Sequence, residues 1–212
     1  MDLGCCRRTF AIDFEGNGRD GILEFGAICL EDGRMRMVGQ SFLRCRRVDD
    51  IFLRRRKISS VHVEAAPFPE KFFNLFKDMR RNGILAAHHA QTEDALLRKL
   101  WPTPGFVPDW GGDPAGNAMG WGPWLDSCAL AKKFWPGLPA YSLDRVLAFL
   151  RLEERWRALG VALCGGGRHR HHCAPYDAIG CALIVDRCLR ESGKDLLCLL
   201  RRTGAAPQLS FF

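Results

Sequence analysis

No apolar run in this sequence approaches the eighteen or so residues that a membrane-spanning helix needs, so no membrane span is expected. No secretory signal opens the chain, which argues for a cytoplasmic protein. No Cys-x2-Cys pair occurs, which argues against the commonest structural zinc sites. No internal repeat is visible, which leaves a single folding unit and not a stacked array. Cysteine itself is not scarce. Ten are present, and those at Cys29, Cys128, Cys181, Cys188 and Cys198 fall in apparent helices and strands, so reduced and mostly buried thiols are expected.

What is present is a chain of 212 residues, enough for one domain with room for a loop insertion and for a substantial core. Apolar residues make up 47% and charged residues 26%, the balance of a folded protein and not of a disordered tail. The formal charge is +7, and most of the excess lies in arginine clusters: Arg44, Arg46 and Arg47; Arg54, Arg55, Arg56 and Lys57; Arg168 and Arg170; Arg201 and Arg202. Such a surface suits a polyanion such as nucleic acid, although each cluster by itself reads equally well as an ordinary solvated face.

Hydrophobic patterning alternates strands and helices. Thr9 to Glu15 reads as a strand, followed by Gly21 to Glu31 and Met35 to Leu43; the Asp32-Gly33 hairpin signal joins the last two, so three antiparallel strands are expected. Beyond a basic loop, a helix starts near Pro69 and ends at Gly83, with Phe72, Leu75, Phe76 and Met79 on one apolar face. Ile84 to Ala87 reads as a short buried strand, and Glu93 to Leu100 as a helix stopped by Pro102. Residues 102–123 are rich in Gly, Pro and Trp without period and read as an inserted loop; Trp110, Trp121 and Trp124 suit packing against the domain more readily than base stacking. Trp124 and Leu125 then enter one more strand. Asp126 or Ser127 caps a helix to Phe134, and Ser142 caps another with Leu143, Val146, Leu147 and Leu150 facing inward. The last long helix runs from Pro175 to about Glu191, closed by Gly193.

Residues two apart in a strand share a face, so Asp13 and Glu15 point one way while Ile12 and Phe14 point into the core. Two acids on one face suit a divalent metal, yet acid-x-acid triplets are common on solvated strand ends. Downstream, His171-His172-Cys173-Ala174-Pro175-Tyr176-Asp177 puts Asp177 in the first turn of the last long helix, where a carboxylate is stabilised, and His172 in the loop before it. Between these ends, Ala87-His88-His89-Ala90-Gln91-Thr92-Glu93-Asp94 offers a third acidic station at a strand-to-helix junction. A histidine that titrates near neutral pH beside such a cluster suits two-metal hydrolysis, with His172 as the base.

In these residues the chain resembles the His variant of the four-acid (DEDD) 3′-to-5′ exonucleases, which include bacterial proofreading subunits, ribonuclease T and oligoribonuclease. The first motif is matched by Ala11-Ile12-Asp13-Phe14-Glu15-Gly16-Asn17-Gly18, with Leu23 to Ile28 at the second strand; the third is matched by His172 and Asp177 at the expected offset. Leu125 to Leu147 resembles the family's strand-helix-helix segment. The second motif departs from the usual His-Asn-Ala-x-Phe-Asp: Glu93 stands at the acid position and His89 where Asn is normal. Asp94 is the runner-up for the fourth acid, although the next helix position is rotated by about 100°.

The resemblance implies an α/β fold of the ribonuclease H-like type, a mixed five-stranded sheet flanked by helices, with residues 1–212 forming one exonuclease domain that carries the 102–123 insertion. It implies two Mg²⁺ or Mn²⁺ ions held by Asp13, Glu15, Glu93 and Asp177, with His172 as general base. Gly16, Asn17 and Gly18 would lie near the terminal nucleotide, with Phe14 and His88 as further substrate contacts. The activity implied is release of nucleoside 5′-monophosphates from single-stranded 3′ ends of DNA or RNA, alone, as a homodimer or with a DNA polymerase. Two other readings stand beside it: a nucleic-acid-binding or polymerase-associated module with weakened catalysis, and a zinc-stabilised interaction domain around Cys164, His169, His171, His172 and Cys173.

Overall fold

The computed structural model describes residues 6–17, 21–45 and 50–202; Gly18, Arg46 and Arg47 lie outside the described residues, as does the Arg202 side chain. A five-stranded mixed sheet organises the chain, in the order β3-β2-β1-β4-β7. Strands β1 (Arg8–Asn17), β2 (Gly21–Glu31) and β3 (Arg34–Phe42) are antiparallel neighbours, whereas β4 (Ile84–Ala87) and β7 (Trp124–Asp126) add in parallel beside β1. Asp32 and Gly33 both have positive φ, the backbone a tight two-residue hairpin requires, and this closes β2 onto β3. The expected antiparallel trio and five-stranded sheet are both present.

Alternation along β1 sorts its side chains into two layers. Phe10, Ile12 and Phe14 join Phe25, Phe76, Leu96 and Leu97 in the core beneath α3 (Phe73–Asn82) and α4 (Ala90–Leu100). Ala11 faces the other core, built on α5 (Ser127–Phe134), α6 (Leu143–Phe149), α7 (Glu153–Leu163) and α8 (Ala174–Ser192). Asp13 and Glu15 continue the Ala11 face, so they look toward α8.

That helix lies directly on the sheet at Gly26, the register partner of Asp13. A Cβ at this position would collide with the backbone of Ala174 and Pro175. Glycine is therefore needed here for close approach and not for its backbone freedom. Trp156 of α7 braces the same turn: its ring stacks on Tyr176 at 4.1 Å and its Nε1 donates to the Tyr176 carbonyl at 2.7 Å.

The elements differ from the sequence expectations at five places. Helix α4 begins at Ala90, not Glu93, because Asp126 accepts from the backbone N–H of His89 at 3.4 Å and of Ala90 at 3.1 Å while also capping α5 through Cys128 and Ala129. A cap supplied from 36 residues away leaves no local signature. The basic stretch carries two helices, α1 (Asp50–Arg56) and α2 (Ser60–Glu64), anchored by a small core of Leu23, Leu53, Ile58 and Val63. Helices α7 and α9 (Leu196–Arg202) were not anticipated. The helix expected from Pro69 opens as a 3₁₀ turn, Pro69–Phe72, before α3 begins.

Residues 102–123 contain a short antiparallel pair, β5 (Val107–Pro108) with β6 (Asn117–Ala118). The fully buried Arg80 holds this segment through the carbonyls of Pro108 and Gly122 at 2.7 to 3.2 Å, and burial lowers its pKa to about 10. Trp110, Trp121 and Trp124 are all buried, each with its indole N–H satisfied, so their use here is packing.

Gly26→Ala is expected to destabilise the protein by about 1–3 kcal/mol, because α8 must lift for the methyl to fit. Urea unfolding should show a lowered midpoint. An unchanged midpoint would mean that α8 does not rest on the sheet at this residue.

Candidate active site

Two elements deliver three acids to one point. Asp13 and Glu15 stand near the end of β1, Asp177 lies in the first turn of α8, and one carboxylate oxygen from each falls within 4.8 Å of the others. The seat of α8 on Gly26 is what brings Asp177 this close. Asp177 is oriented by its own loop: the His172 backbone N–H donates to Oδ2 at 3.0 Å, and His171 Nδ1 pairs with Oδ1 at 3.0 Å.

Glu93 comes from the first turn of α4 in the opposite layer. The Phe14 backbone N–H donates to its carboxylate, yet Oε2 is buried with no hydrogen-bond partner. Asp94, the runner-up for this position, is committed elsewhere: it accepts from Trp124 Nε1 at 2.8 Å and from Arg98 Nε at 2.6 Å.

Burial and mutual repulsion raise the pKa values of the acids here. Burial, then Glu93, Asp177 and Glu15, hold the Asp13 carboxyl well above its usual range. Burial raises Glu15 to about 7, even though Arg56 pulls it down, and burial with Glu15 nearby raises Glu93 to about 8. Buried carboxylates in this arrangement favour either protons or a hard divalent cation with oxygen preference. The orphaned Glu93 Oε2 and the all-oxygen donor set fit ions of the Mg²⁺ or Mn²⁺ class.

His172 sits at the rim with its backbone in the left-handed region, φ 63°. Its ring stacks on His171 at 4.1 Å, and burial, His171 and Arg56 all lower its pKa. Arg56 of α1 lies across the opening: Nε pairs with Glu15 Oε2 at 3.0 Å and Nη1 contacts His172 Nδ1 at 2.5 Å. A guanidinium can only donate, so His172 Nδ1 accepts, and the neutral ring carries its proton on Nε2.

A further acid, Glu24, opposes Glu15 in the β1–β2 register and is buried. Arg168 meets both of its oxygens, at 2.7 and 2.5 Å, and the Ala174 backbone N–H donates to Oε2 at 3.1 Å. Glu24 is thereby fully engaged in tying the 165–173 loop and the start of α8 to β2. Sequence reasoning passed over Glu24, Arg56, Arg168 and His171 as site residues. Glu24 comes opposite Glu15 only because the register shifts at a bulge between Glu15 and Gly16, which strand alternation alone does not predict.

Two of the expected substrate contacts, His88 and Phe14, have side chains engaged inside the fold. His88, read as a substrate contact, uses both ring nitrogens inside the fold, Nδ1 on Ser127 Oγ at 2.8 Å and Nε2 on the Tyr141 carbonyl at 2.9 Å; burial lowers its pKa to about 4. Phe14 is packed in the core, 5.7 Å from Phe76 between ring centres, so its ring is not offered for stacking. Gly16 lies at a bulge where a Cβ would press on the backbone of Gly21 and Ile22, a structural demand for glycine. Asn17 ends β1, and Gly18 lies outside the described residues. Among the described residues no metal-competent cluster includes Cys164 or Cys173, and burial pushes the Cys164 thiol up to about 12; of the residues in the zinc reading, His171 and His172 cluster with Asp177 instead.

No protein-family model and no curated protein matches the sequence. Solved structures do match in shape. Exonuclease X in complex with 5′-overhanging duplex DNA is 19% identical, with a TM-score of 0.65 over 93% of this chain and 99% of the other. A 3′-exonuclease solved with a histone mRNA stem-loop is 17% identical, with a TM-score of 0.58 over 89% of this chain and 84% of the other. Cell-death related nuclease 4 (CRN-4) is 10% identical, with a TM-score of 0.59 over 89% of this chain and 66% of the other. With the strand order and helix placement described above, these likenesses establish that the chain has the ribonuclease H-like fold of these exonucleases.

Proposed function

We propose that this protein is a metal-dependent 3′-to-5′ exonuclease of the four-acid, histidine type, releasing nucleoside 5′-monophosphates from single-stranded 3′ ends of DNA or RNA, with residues 1–212 as one catalytic domain carrying an insertion at 102–123. The observation that carries this reading is the convergence of Asp13, Glu15 and Asp177, with His172 beside Asp177 and the partnerless Oε2 of Glu93 near enough for its charge to raise the Asp13 carboxyl. Among the fold neighbours, one was solved with DNA and one with RNA, so both substrates stay in scope.

Two Mg²⁺ or Mn²⁺ ions, held by Asp13, Glu15, Glu93 and Asp177, would supply Lewis-acid stabilisation of the charge that develops on the phosphate. Asp177 is kept in place by the His172 N–H and the His171 ring. His172 takes the proton of the attacking water at a ring nitrogen, which requires a free lone pair there. Exposed Arg54, Arg55 and Lys57 attract the backbone of the strand toward the site. The weakened binding module remains the second reading, favoured by Glu93 in place of Asp and by the engagement of His172 Nδ1 with Arg56.

Incubating 5′-labelled single-stranded DNA and RNA with Mg²⁺, Mn²⁺ or EDTA separates these readings. The exonuclease yields a one-nucleotide ladder that EDTA abolishes. Asp13→Ala and Glu93→Ala should each slow it by roughly a thousandfold, the equivalent of several kcal/mol of lost charge stabilisation. Asp94→Asn should stay within a few-fold of wild type. Intact substrate with retained binding would favour the module.

The acid cluster also sets a pH dependence. Asp13, Glu15 and Glu93 have folded-state pKa values above their unfolded ones, so the stability they contribute is complete below about pH 4. It is lost as pH rises through about 7 for Glu15 and about 8 for Glu93. In EDTA, wild-type protein should therefore melt lower at pH 8.5 than at pH 6. Glu93→Gln should recover roughly 5 °C at pH 8.5 and nothing near pH 4. Millimolar Mn²⁺ should raise the wild-type melting temperature more at the higher pH. A flat profile, unmoved by Glu93→Gln, would refute the repulsive cluster.

A further inference from the structure

Arg56 is poised awkwardly for the chemistry just described. Its Nη1 donates into the Nδ1 lone pair of His172 at 2.5 Å, which leaves the other ring nitrogen protonated, so neither nitrogen can accept a proton. Its Nε is bound to Glu15 Oε2 at 3.0 Å. The His172 imidazole in this pose is held idle, and it becomes a base only when the guanidinium leaves Nδ1.

The surroundings of Arg56 indicate what removes it. Its side chain is 31% exposed at the mouth of the site, and Nη2 makes no hydrogen bond among the described residues. Helix α1 places Arg54 and Arg55 in solvent just before it, and Lys57 follows with φ 53°. A neutral imidazole is a weak acceptor for a guanidinium compared with a phosphate, whose charged oxygens take two N–H donors at once.

We propose that Arg56 is a substrate-released latch: it caps His172 until a backbone phosphate of the incoming strand, upstream of the terminal linkage, takes its guanidinium and frees the imidazole. The inference rests on the exonuclease reading and deepens it. Catalysis is thereby tied to a polynucleotide, because only a substrate with a second phosphate can draw Arg56 away. A lone phosphodiester reaches the acids but leaves the base capped.

Two readouts on wild type and Arg56→Ala test this, with thermal melting of both proteins to establish folding. The first is binding of a fluorescent single-stranded oligonucleotide in EDTA, by anisotropy over a salt series. Arg56→Ala should bind about tenfold more weakly, with the log–log salt slope reduced by about 0.7, one phosphate contact on a single strand. The second is hydrolysis of a nucleoside 5′-(p-nitrophenyl phosphate), which has a single phosphate, in Mn²⁺. Here Arg56→Ala should be several-fold faster than wild type, whereas on the oligonucleotide its KM should rise. Unchanged oligonucleotide affinity overturns the proposal, and so does an equal loss of kcat on both substrates, which would make Arg56 part of the chemistry itself. A wild type that hydrolyses neither substrate sinks the exonuclease reading and the latch with it. A wild type that hydrolyses both, with no acceleration of the small ester in Arg56→Ala, sinks only the latch.

Discussion

The closest constraint in this molecule is the seat of α8 on β2 at Gly26, where helix backbone touches strand backbone with no side chain between them. Because Gly26 pairs with Asp13, the helix turn that rests there carries Asp177 to the acids of β1. Other contacts guard the same turn. Trp156 stacks on Tyr176 and holds its carbonyl, Gly160 leaves room for the Tyr176 ring, and Glu24 receives the Ala174 N–H while gripping Arg168. The helix terminus is thus fixed by packing on one side and by a buried ion pair on the other.

The site gathered by this seat works against folding. Like charges in a dry place raise the pKa values of Asp13, Glu15 and Glu93, and the Glu93 Oε2 atom has no partner. A fold keeps such an arrangement only where the surrounding structure over-determines it. Here α4 is capped by Asp126 from another strand, and the 165–173 loop is stitched to β2 by Glu24 and to β3 by Gln40, which contacts Leu163 and Gly165. The same frame leaves α1 and its arginines beside Glu15 and His172.

Much of the fold was legible because strand alternation and helix periodicity are local. The acid pair on β1, the Asp32-Gly33 turn, the buried strand at Ile84 and the long helix closed by Gly193 all follow from neighbours in sequence. What escaped was set at a distance. The start of α4 depends on Asp126, the helices in the basic stretch depend on a small core with Leu23, and the 102–123 segment depends on Arg80. The engagement of His88 escaped for the same reason, since Ser127 and Tyr141, which use both its nitrogens, lie 39 and 53 residues away.

The sequence by itself determined which residue types were available: two acids on one strand face, a histidine and an acid at a helix start, and an acid after a short buried strand. Those are consequences of period and capping, which act over a few residues. Only the tertiary structure set the surroundings of Glu93 and Asp94, one oxygen of the first left without a partner and the second bonded to Trp124 and Arg98, because burial and hydrogen-bond partners come from elements far apart in the chain. It alone also brought Arg56 onto Glu15 and His172, residues 41 positions before it and 116 after, an encounter that no local rule encodes.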